Sequence, residues 1–155
     1  MDILNGFPTT KDKYKHVLLV VDSYSKWCEV FPLPTQEATE IADILYKEII
    51  TRYGAPIVLT SDRGRNFMSN LVKALSEMFQ ITRHLTSSYH PQTNVSVERM
   101  NSVIIQALRA CTKNQQDDWI NLLLGIMMAY HATPATQSTD FSPFFMLFGR
   151  EMRTN

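Results

Sequence analysis

The sequence predicts an α/β fold in which a mixed five-stranded sheet is flanked by helices. Short segments rich in leucine and β-branched residues lie mainly in the first half of the chain, and amphipathic helical patterns separate the later ones. Two long helical patterns fill much of the second half. A length of 155 residues suits one domain, so we expect a single domain over residues 1–155.

The first 85 residues are predicted to supply all five strands. The second and third strands are expected to form a hairpin, because a short polar turn over 23–25 separates two apolar runs. Later strands are separated by helices, and the order βββ-α-β-α-β-α-α-α indicates an α/β sandwich with a mixed sheet. The predicted strands cover residues 2–4, 16–22, 26–33, 56–60 and 81–85.

Helices are predicted where apolar residues recur at spacings of three and four. A short final helix is indicated by Ser142-Pro143, because serine caps helices whose first position takes proline, and it should stop at Gly149. The other predicted helices cover residues 35–53, 69–79, 95–113 and 118–131. The second of these is expected to bury three apolar residues, Leu71, Leu75 and Phe79.

Composition and charge exclude several classes of protein. With 15 basic and 15 acidic side chains the formal net charge is zero, unlike domains that bind nucleic acid by charge alone. Two cysteines, Cys28 and Cys111, are too few for a disulfide framework and lack zinc-site spacing. We therefore expect reduced thiols in a protein that is not secreted. No apolar run approaches the ~18 residues that a membrane helix needs, so no membrane association is expected.

Two acidic residues, Asp62 and Glu98, stand in distinctive polar segments with 35 residues between them. Asp62 follows a predicted strand and precedes a glycine turn, whereas Glu98 follows a polar loop at the start of a helix. Carboxylates that converge from different elements can bind Mg²⁺ or Mn²⁺, which prefer hard oxygen ligands. The alternatives are a turn aspartate bonded to its own backbone ahead of Gly64, and a glutamate that favours the helix dipole. Together, the two segments indicate metal-dependent phosphodiester chemistry.

A third carboxylate is needed to hold two metal ions about 4 Å apart. Asp22 ends the second strand before a turn, which favours a structural role. Asp2 lies on the first strand, which is central if the fifth strand pairs beside it. The pattern does not decide among the four candidates, Asp2, Asp12, Asp22 and Glu29.

Over nearly its whole length the chain resembles the catalytic core of retroviral and gypsy-type LTR-retrotransposon integrases. The resemblance is carried by Met1-Asp2-Ile3, by the run from Leu18 to Trp27, by the segments around Asp62 and Glu98, and by Ser142-Pro143-Phe144 with Phe148-Gly149-Arg150. It implies an RNase H-like fold. It also implies an Asp–Asp–Glu triad, and it selects Asp2 over Asp22 as the first member.

The resemblance implies an enzyme that trims DNA 3′ ends and joins them to target DNA. Asp2, Asp62 and Glu98 would serve both as catalytic residues and as ligands of two Mg²⁺ or Mn²⁺ ions, without a small-molecule cofactor. The implied DNA-contacting residues lie on the active-site loop and the helix after it: Tyr89, Gln92, Asn94, Arg99 and Asn101. Arg63 and Arg65 flank the site and could pair with phosphate.

The implied partners are DNA, as element ends and as target, and a second copy in a homodimer formed through the long helices. We expect the protein to act in the nucleus, with assembly in the cytoplasm. The zinc-binding N-terminal domain and the C-terminal DNA- or chromatin-binding domain of the family are not expected in this chain.

An alternative is an integrase-derived domain without catalytic activity, which serves dimerisation or interaction with nucleic acid or protein. Three departures from the family pattern favour it. Val95 stands where a glycine is common, Ser102 and Ile105 stand where retroviral relatives carry lysines for DNA, and the predicted strand that carries Asp2 is clipped at its start. Ribonuclease H proper is a weaker alternative, because the segments around Asp62 and Glu98 do not support it.

Overall fold

A computed structural model describes residues 1–86, 102–107, 119–135 and 139–154. The strands are β1 (Asp2–Leu4), β2 (His16–Val21), β3 (Cys28–Leu33), β4 (Val58–Ser61) and β5 (Thr82–Leu85). The helices are α1 (Ala38–Ile44), α2 (Thr51–Tyr53), α3 (Asn70–Met78), α4 (102–107), α5 (Trp119–Ala132) and α6 (Pro143–Phe148). A π-helical stretch, Leu45–Ile50, joins α1 to α2 without a break. The described helices and strands thus follow the predicted order.

The five strands form two sheets, and not the single five-stranded sheet that the sequence predicted. In the first sheet β2 pairs antiparallel with β1 on one side and with β3 on the other, and in the second β4 pairs parallel with β5. The fifth strand therefore lies beside β4 and not beside β1. The sheets meet where the Met1 amino group donates a hydrogen bond to the Thr60 carbonyl at 2.7 Å.

Helices pack against both faces of the strands, as predicted. Because successive side chains of a strand point to opposite faces, β2 places Leu18 in one apolar cluster and Val17 with Leu19 in another. The first cluster includes Ile41, Leu45 and Val72 from the first half of the chain. The second includes Ile104, Trp119 and Leu123 from the second half. The sheet region therefore lies between two layers of helices.

Helix α3 confirms two of its three predicted core residues in part. Leu75 and Phe79 are partly buried and pack against the first apolar cluster, whereas Leu71 is 45% exposed, and Val72 and Ser76 are the buried residues of the helix. The Ser76 hydroxyl is satisfied inside the helix, where it donates to the Val72 carbonyl at 2.8 Å. A serine with that internal bond can occupy a buried position without leaving its hydroxyl unsatisfied.

The last helix confirms its sequence signals. The Ser142 side chain accepts a hydrogen bond from the Phe145 backbone N–H at 3.0 Å, and Pro143 is the first residue of α6. Gly149 ends the helix with a φ of 68°, a left-handed conformation that glycine adopts without strain. Across the described ranges, no helix combines the length and apolar character needed to cross a membrane.

Candidate active site

Asp2 and Asp62 come together where β1 begins and β4 ends. The hydrogen bond from the Met1 amino group to the Thr60 carbonyl holds the start of β1 beside the end of β4. Asp2 follows Met1 directly, and Asp62 follows Ser61, the last residue of β4. Two carboxylates from separate elements are thus brought to one end of the strands.

The Met1 amino group lies near the carboxylates of both Asp2 and Asp62. Burial lowers the pKa of this amine from 8.0 to about 6, while the negative charges of Asp2 and Asp62 act in the opposite direction. Met1 is only 5% exposed, so its amine interacts with the nearby charges with little screening by water. Both carboxylates therefore lie within electrostatic reach of one buried atom.

Each carboxylate also accepts a hydrogen bond from the adjacent backbone. Asp2 Oδ1 accepts from the Ile3 N–H, and Asp62 Oδ1 accepts from the Gly64 N–H, both at 2.8 Å. The alternative interpretation of Asp62 as a turn aspartate is thus correct for this bond. A carboxylate has about four lone-pair sites, so a backbone bond to one oxygen is compatible with metal binding by the same side chain.

Gly64 lies directly against the Asp62 carboxylate. A Cβ atom at position 64 would lie 2.9 Å from Asp62 Oδ1 and 3.6 Å from Phe67 Cδ2. Its φ is not in the left-handed region, so a side chain at this position would act through contact with the Asp62 carboxylate, which would have to shift, and not through backbone strain. The sequence marked Gly64 as a turn residue but gave no sign of this contact.

The Gly64→Ala variant should bind Mn²⁺ about tenfold more weakly, because the new methyl group displaces the Asp62 carboxylate that Gly64 now holds. The measurement is a thermal-shift titration with MnCl₂. Gly125→Ala is the matched control, since a Cβ at position 125 meets nothing within 4 Å. Equal Mn²⁺ affinity in the Gly64→Ala protein and the wild type would show that this contact does not position Asp62.

A chain of amide contacts links the Asp62 turn to the end of β1. Asn66 Nδ2 donates to Gln36 Oε1 at 3.2 Å, and Gln36 Nε2 donates to Asn5 Oδ1 at 2.5 Å. His16 Nδ1 lies 2.7 Å from the same Asn5 oxygen. Residues far apart in sequence are joined in this way, so no local pattern could have indicated the link.

The other candidate carboxylates are placed differently. Asp22 Oδ2 accepts from the backbone N–H and the hydroxyl of Ser25, at 2.8 Å and 2.6 Å, and so closes the turn between β2 and β3. Glu29 accepts from the Trp27 indole at 3.1 Å and lies 3.7 Å from Arg52. Asp12 is exposed in a turn. The geometry therefore favours Asp2 as the carboxylate that accompanies Asp62.

Several predicted site residues lie outside the described residues. They are the third triad member Glu98 and the five DNA-contact residues Tyr89, Gln92, Asn94, Arg99 and Asn101. In the ranges that the structure does describe, no group of three or more His, Cys, Asp and Glu side chains forms a metal-binding cluster. Of the three predicted ligands, the structure thus describes Asp2 and Asp62, and both lie beside the hydrogen bond between Met1 and Thr60.

The donor set of this pair fits a hard divalent cation. Asp62 is exposed and Asp2 is half-buried, and both offer carboxylate oxygens, the ligands that Mg²⁺ and Mn²⁺ prefer. Softer ligands are elsewhere: the Cys28 thiol is buried, and burial raises its pKa well above the usual value. Asp2 and Asp62 could therefore hold such an ion with one or more further oxygen ligands.

The sequence of this chain is similar to that of known proteins. The sequence profile described as "Integrase core domain" matches residues 1–91. The Gag-Pol polyprotein of avian reticuloendotheliosis virus is 30% identical over 141 residues, which cover 91% of this chain and 12% of the polyprotein. The Gag-Pol polyprotein of feline leukemia virus is 34% identical over 137 residues, which cover 88% of this chain and 8% of the polyprotein.

Solved structures share the fold. The catalytic core domain of BIV integrase superposes with a TM-score of 0.69 at 19% identity, covering 92% of this chain and 89% of that one. A chain in the cryo-EM structure of the simian T-cell lymphotropic virus intasome, in complex with PP2A regulatory subunit B56 gamma, gives a TM-score of 0.77 at 15% identity. That match covers 99% of this chain and 55% of the other. These likenesses establish the RNase H-like α/β fold of integrase cores.

The chain spans only 8% to 12% of the length of the polyproteins described above. The family profile nevertheless covers more than half of the chain and includes both Asp2 and Asp62. Sequence, fold and the paired carboxylates therefore agree that this chain belongs to the integrase core domain family.

Proposed function

We propose that this chain is the catalytic core of a DNA-integrating enzyme that processes DNA 3′ ends and transfers them to target DNA. One observation carries the proposal: the hydrogen bond from the Met1 amino group to the Thr60 carbonyl holds the start of β1, with Asp2, beside the end of β4, which Asp62 follows. Membership in the integrase core family supports it, because DNA integration is the activity for which the family is named.

Asp2, Asp62 and Glu98 would hold the metal. When bound, two Mg²⁺ or Mn²⁺ ions would stabilise the attacking and leaving oxygens of an in-line displacement at phosphorus. The attacking group would be water in end processing and a DNA 3′-hydroxyl in strand transfer. In this scheme the protein positions carboxylates and DNA, and no side chain forms a covalent bond to the substrate.

The proposed DNA contacts extend from this centre. Arg63 and Arg65 are exposed on the turn that follows Asp62, where their guanidinium groups could pair with phosphate oxygens. The other contacts would come from Tyr89, Gln92, Asn94, Arg99 and Asn101. Because the formal net charge is zero, affinity for DNA would depend on such local cations and on the bound metal more than on overall charge.

Three further proposals concern the extent of the domain, the oligomeric state and the place of action. We propose one integrase core domain over residues 1–155, a homodimer through the long helices, and action in the nucleus, where target DNA lies. Mass measurement in solution tests the dimer, and a monomer at micromolar concentration would contradict it.

Asp62→Asn should abolish the Mn²⁺-dependent disintegration of a branched DNA substrate, lowering its rate by about 100-fold or more, because the neutral amide cannot replace a carboxylate ligand. Glu98→Gln should behave in the same way. Asp12→Asn removes an exposed carboxylate from a turn and should match the wild type.

Two other results of this assay have clear meanings. Equal rates for the wild type and Asp62→Asn would contradict the enzymatic proposal. A wild-type protein that neither cleaves DNA nor gains thermal stability from Mn²⁺ would instead support the inactive, integrase-derived interaction module.

A further inference from the structure

Strand β5 and the residue after it hold both ends of the Asp62 turn, which runs from Asp62 to the buried Phe67. The turn follows Ser61, the last residue of β4. The Thr86 backbone N–H and hydroxyl both donate to the Ser61 carbonyl, at 2.9 Å and 3.2 Å. At the far end of the turn, the Arg83 guanidinium donates to the Phe67 carbonyl. The turn is therefore bracketed by contacts from one strand.

The register of the second sheet explains why Arg83 can reach the turn. β4 and β5 are parallel, and Arg83 lies opposite Leu59. Residues that lie opposite each other in a sheet place their side chains on the same face. Leu59 and Phe67 both belong to the first apolar cluster, so the Arg83 side chain leaves its strand on the face where Phe67 packs. Strand pairing thus joins two residues that are 16 positions apart in sequence.

A relay of hydrogen bonds connects this contact to the Asp62 carboxylate. The Phe67 carbonyl accepts the bond from Arg83. The N–H of the same peptide group belongs to Met68, and it donates to the Gly64 carbonyl at 3.0 Å. The Gly64 N–H in turn donates to Asp62 Oδ1 at 2.8 Å. Three successive hydrogen bonds therefore lead from the Arg83 side chain to a candidate metal ligand.

The first bond of this relay is a strong one. A guanidinium is always charged, and a hydrogen bond from a charged donor is roughly twice as strong as a neutral one. Arg83 is half-buried, so water competes with it for the Phe67 carbonyl less than at the surface. Asp62 itself is exposed. A carboxylate on an exposed turn is held in one position only if other groups fix the turn, and Arg83 is such a group.

The surroundings of Arg83 differ from those of the arginines within the turn. Arg63 and Arg65 are exposed, where they are available to phosphate. Arg83 lies on the adjacent strand and donates to the backbone of the protein itself. Its guanidinium therefore acts on the shape of the turn, and its contribution to the site is separate from a DNA contact.

We propose that Arg83 is a positioning residue for Asp62. By holding the Phe67 carbonyl, Arg83 keeps the Asp62 turn in the shape that places the carboxylate near Asp2, so that both side chains can bind one divalent cation. This role rests on the proposed function, because it assigns Arg83 to the metal site of that function. Loss of a group that orients a metal ligand lowers metal affinity by about 10- to 100-fold.

Arg83→Met keeps an unbranched side chain but removes the donor. It should weaken Mn²⁺ binding about tenfold in a thermal-shift titration with MnCl₂. In the metal-free protein, the amide hydrogens of Gly64 and Met68 should exchange roughly tenfold faster than in the wild type. Arg83→Lys restores a charged donor and should recover most of the Mn²⁺ affinity. Arg52→Met is the matched control and should change neither quantity, because the Arg52 side chain is 47% exposed in a pair with Glu48.

The salt dependence of DNA binding separates positioning from phosphate contact. The logarithm of DNA affinity falls linearly with the logarithm of salt concentration, and each phosphate contact contributes about one unit to the slope. Arg83→Met should keep the wild-type slope. A slope reduced by about one unit would make Arg83 a phosphate contact and would overturn the positioning role.

Three other outcomes would also overturn the positioning role of Arg83. If Arg83→Met matches the wild type in Mn²⁺ affinity and in the exchange of Gly64 and Met68, the proposed function stands without this role. A lower melting temperature with unchanged Mn²⁺ affinity would make the contribution of Arg83 structural only. If the wild type itself gains no stability from Mn²⁺, the proposed function fails, and the positioning role fails with it.

Discussion

Replacing Asp2 by asparagine should lower DNA strand transfer by about 100-fold or more and remove the thermal stabilisation by Mn²⁺. The asparagine keeps an oxygen that can accept the Ile3 N–H bond now made by Asp2 Oδ1. The metal-free protein should therefore melt close to the wild-type temperature. Strand-transfer assays and MnCl₂ titrations of the same preparation measure both effects.

Asp22→Asn is the sharpest comparison for Asp2, because the sequence offered both residues as the first member of the triad. Asp22 binds Ser25 and closes a turn, so its replacement should reduce the free energy of unfolding by about 1 kcal/mol. Its strand-transfer rate and Mn²⁺ response should remain those of the wild type. Loss of activity in Asp22→Asn, with activity retained in Asp2→Asn, would reverse the assignment.

Much of the fold was predictable because the local signals agree with one another. The Ser142-Pro143 start and Gly149 end of α6 are confirmed by a cap bond and a left-handed glycine. The hairpin of β2 and β3 is also confirmed, since two apolar runs around a polar turn have few other ways to pair. In these elements the residues that determine the structure are neighbours in sequence.

The errors occur where the outcome depends on distant residues. The sequence predicted five strands in one sheet, but which strands pair depends on residues far apart in the chain. On α3 the prediction was wrong for Leu71, because three- and four-residue spacing does not define the edge of the buried face. The π-helical stretch between α1 and α2 had no sequence signal that we recognised.

The candidate site shows the same division. The turn bond of Asp62 to Gly64 follows from a local pattern of aspartate before glycine. The proximity of Asp2 and Asp62 does not, because it depends on the hydrogen bond between Met1 and Thr60, which are 59 positions apart in sequence. Only the family resemblance selected Asp2 in advance, and the hydrogen bond between the two sheets supplies the physical reason.

Trp119→Ala should produce the largest loss of stability, about 3–5 kcal/mol, with a fall in melting temperature of roughly 10 °C. Trp119 is fully buried at the start of α5. Its ring stacks on Phe7 with centroids 4.9 Å apart, and its indole N–H donates to the Pro8 carbonyl at 2.9 Å. The Trp119 side chain therefore joins α5 to the segment that follows β1. Asp2 lies on β1 itself.

Two control variants separate the contributions of packing and hydrogen bonding at Trp119. Trp119→Phe keeps an aromatic ring against Phe7 but leaves the Pro8 carbonyl without the indole donor, so it should cost about 1–3 kcal/mol. Met78→Ala removes a side chain that is 74% exposed on α3 and should change the free energy of unfolding by less than about 0.5 kcal/mol. Chemical denaturation of the three variants gives these values directly. If Trp119→Ala lowers the free energy of unfolding no more than Met78→Ala does, the packing of α5 does not depend on this contact. In that case β1, which carries Asp2, is held in place by β2 and β4 alone.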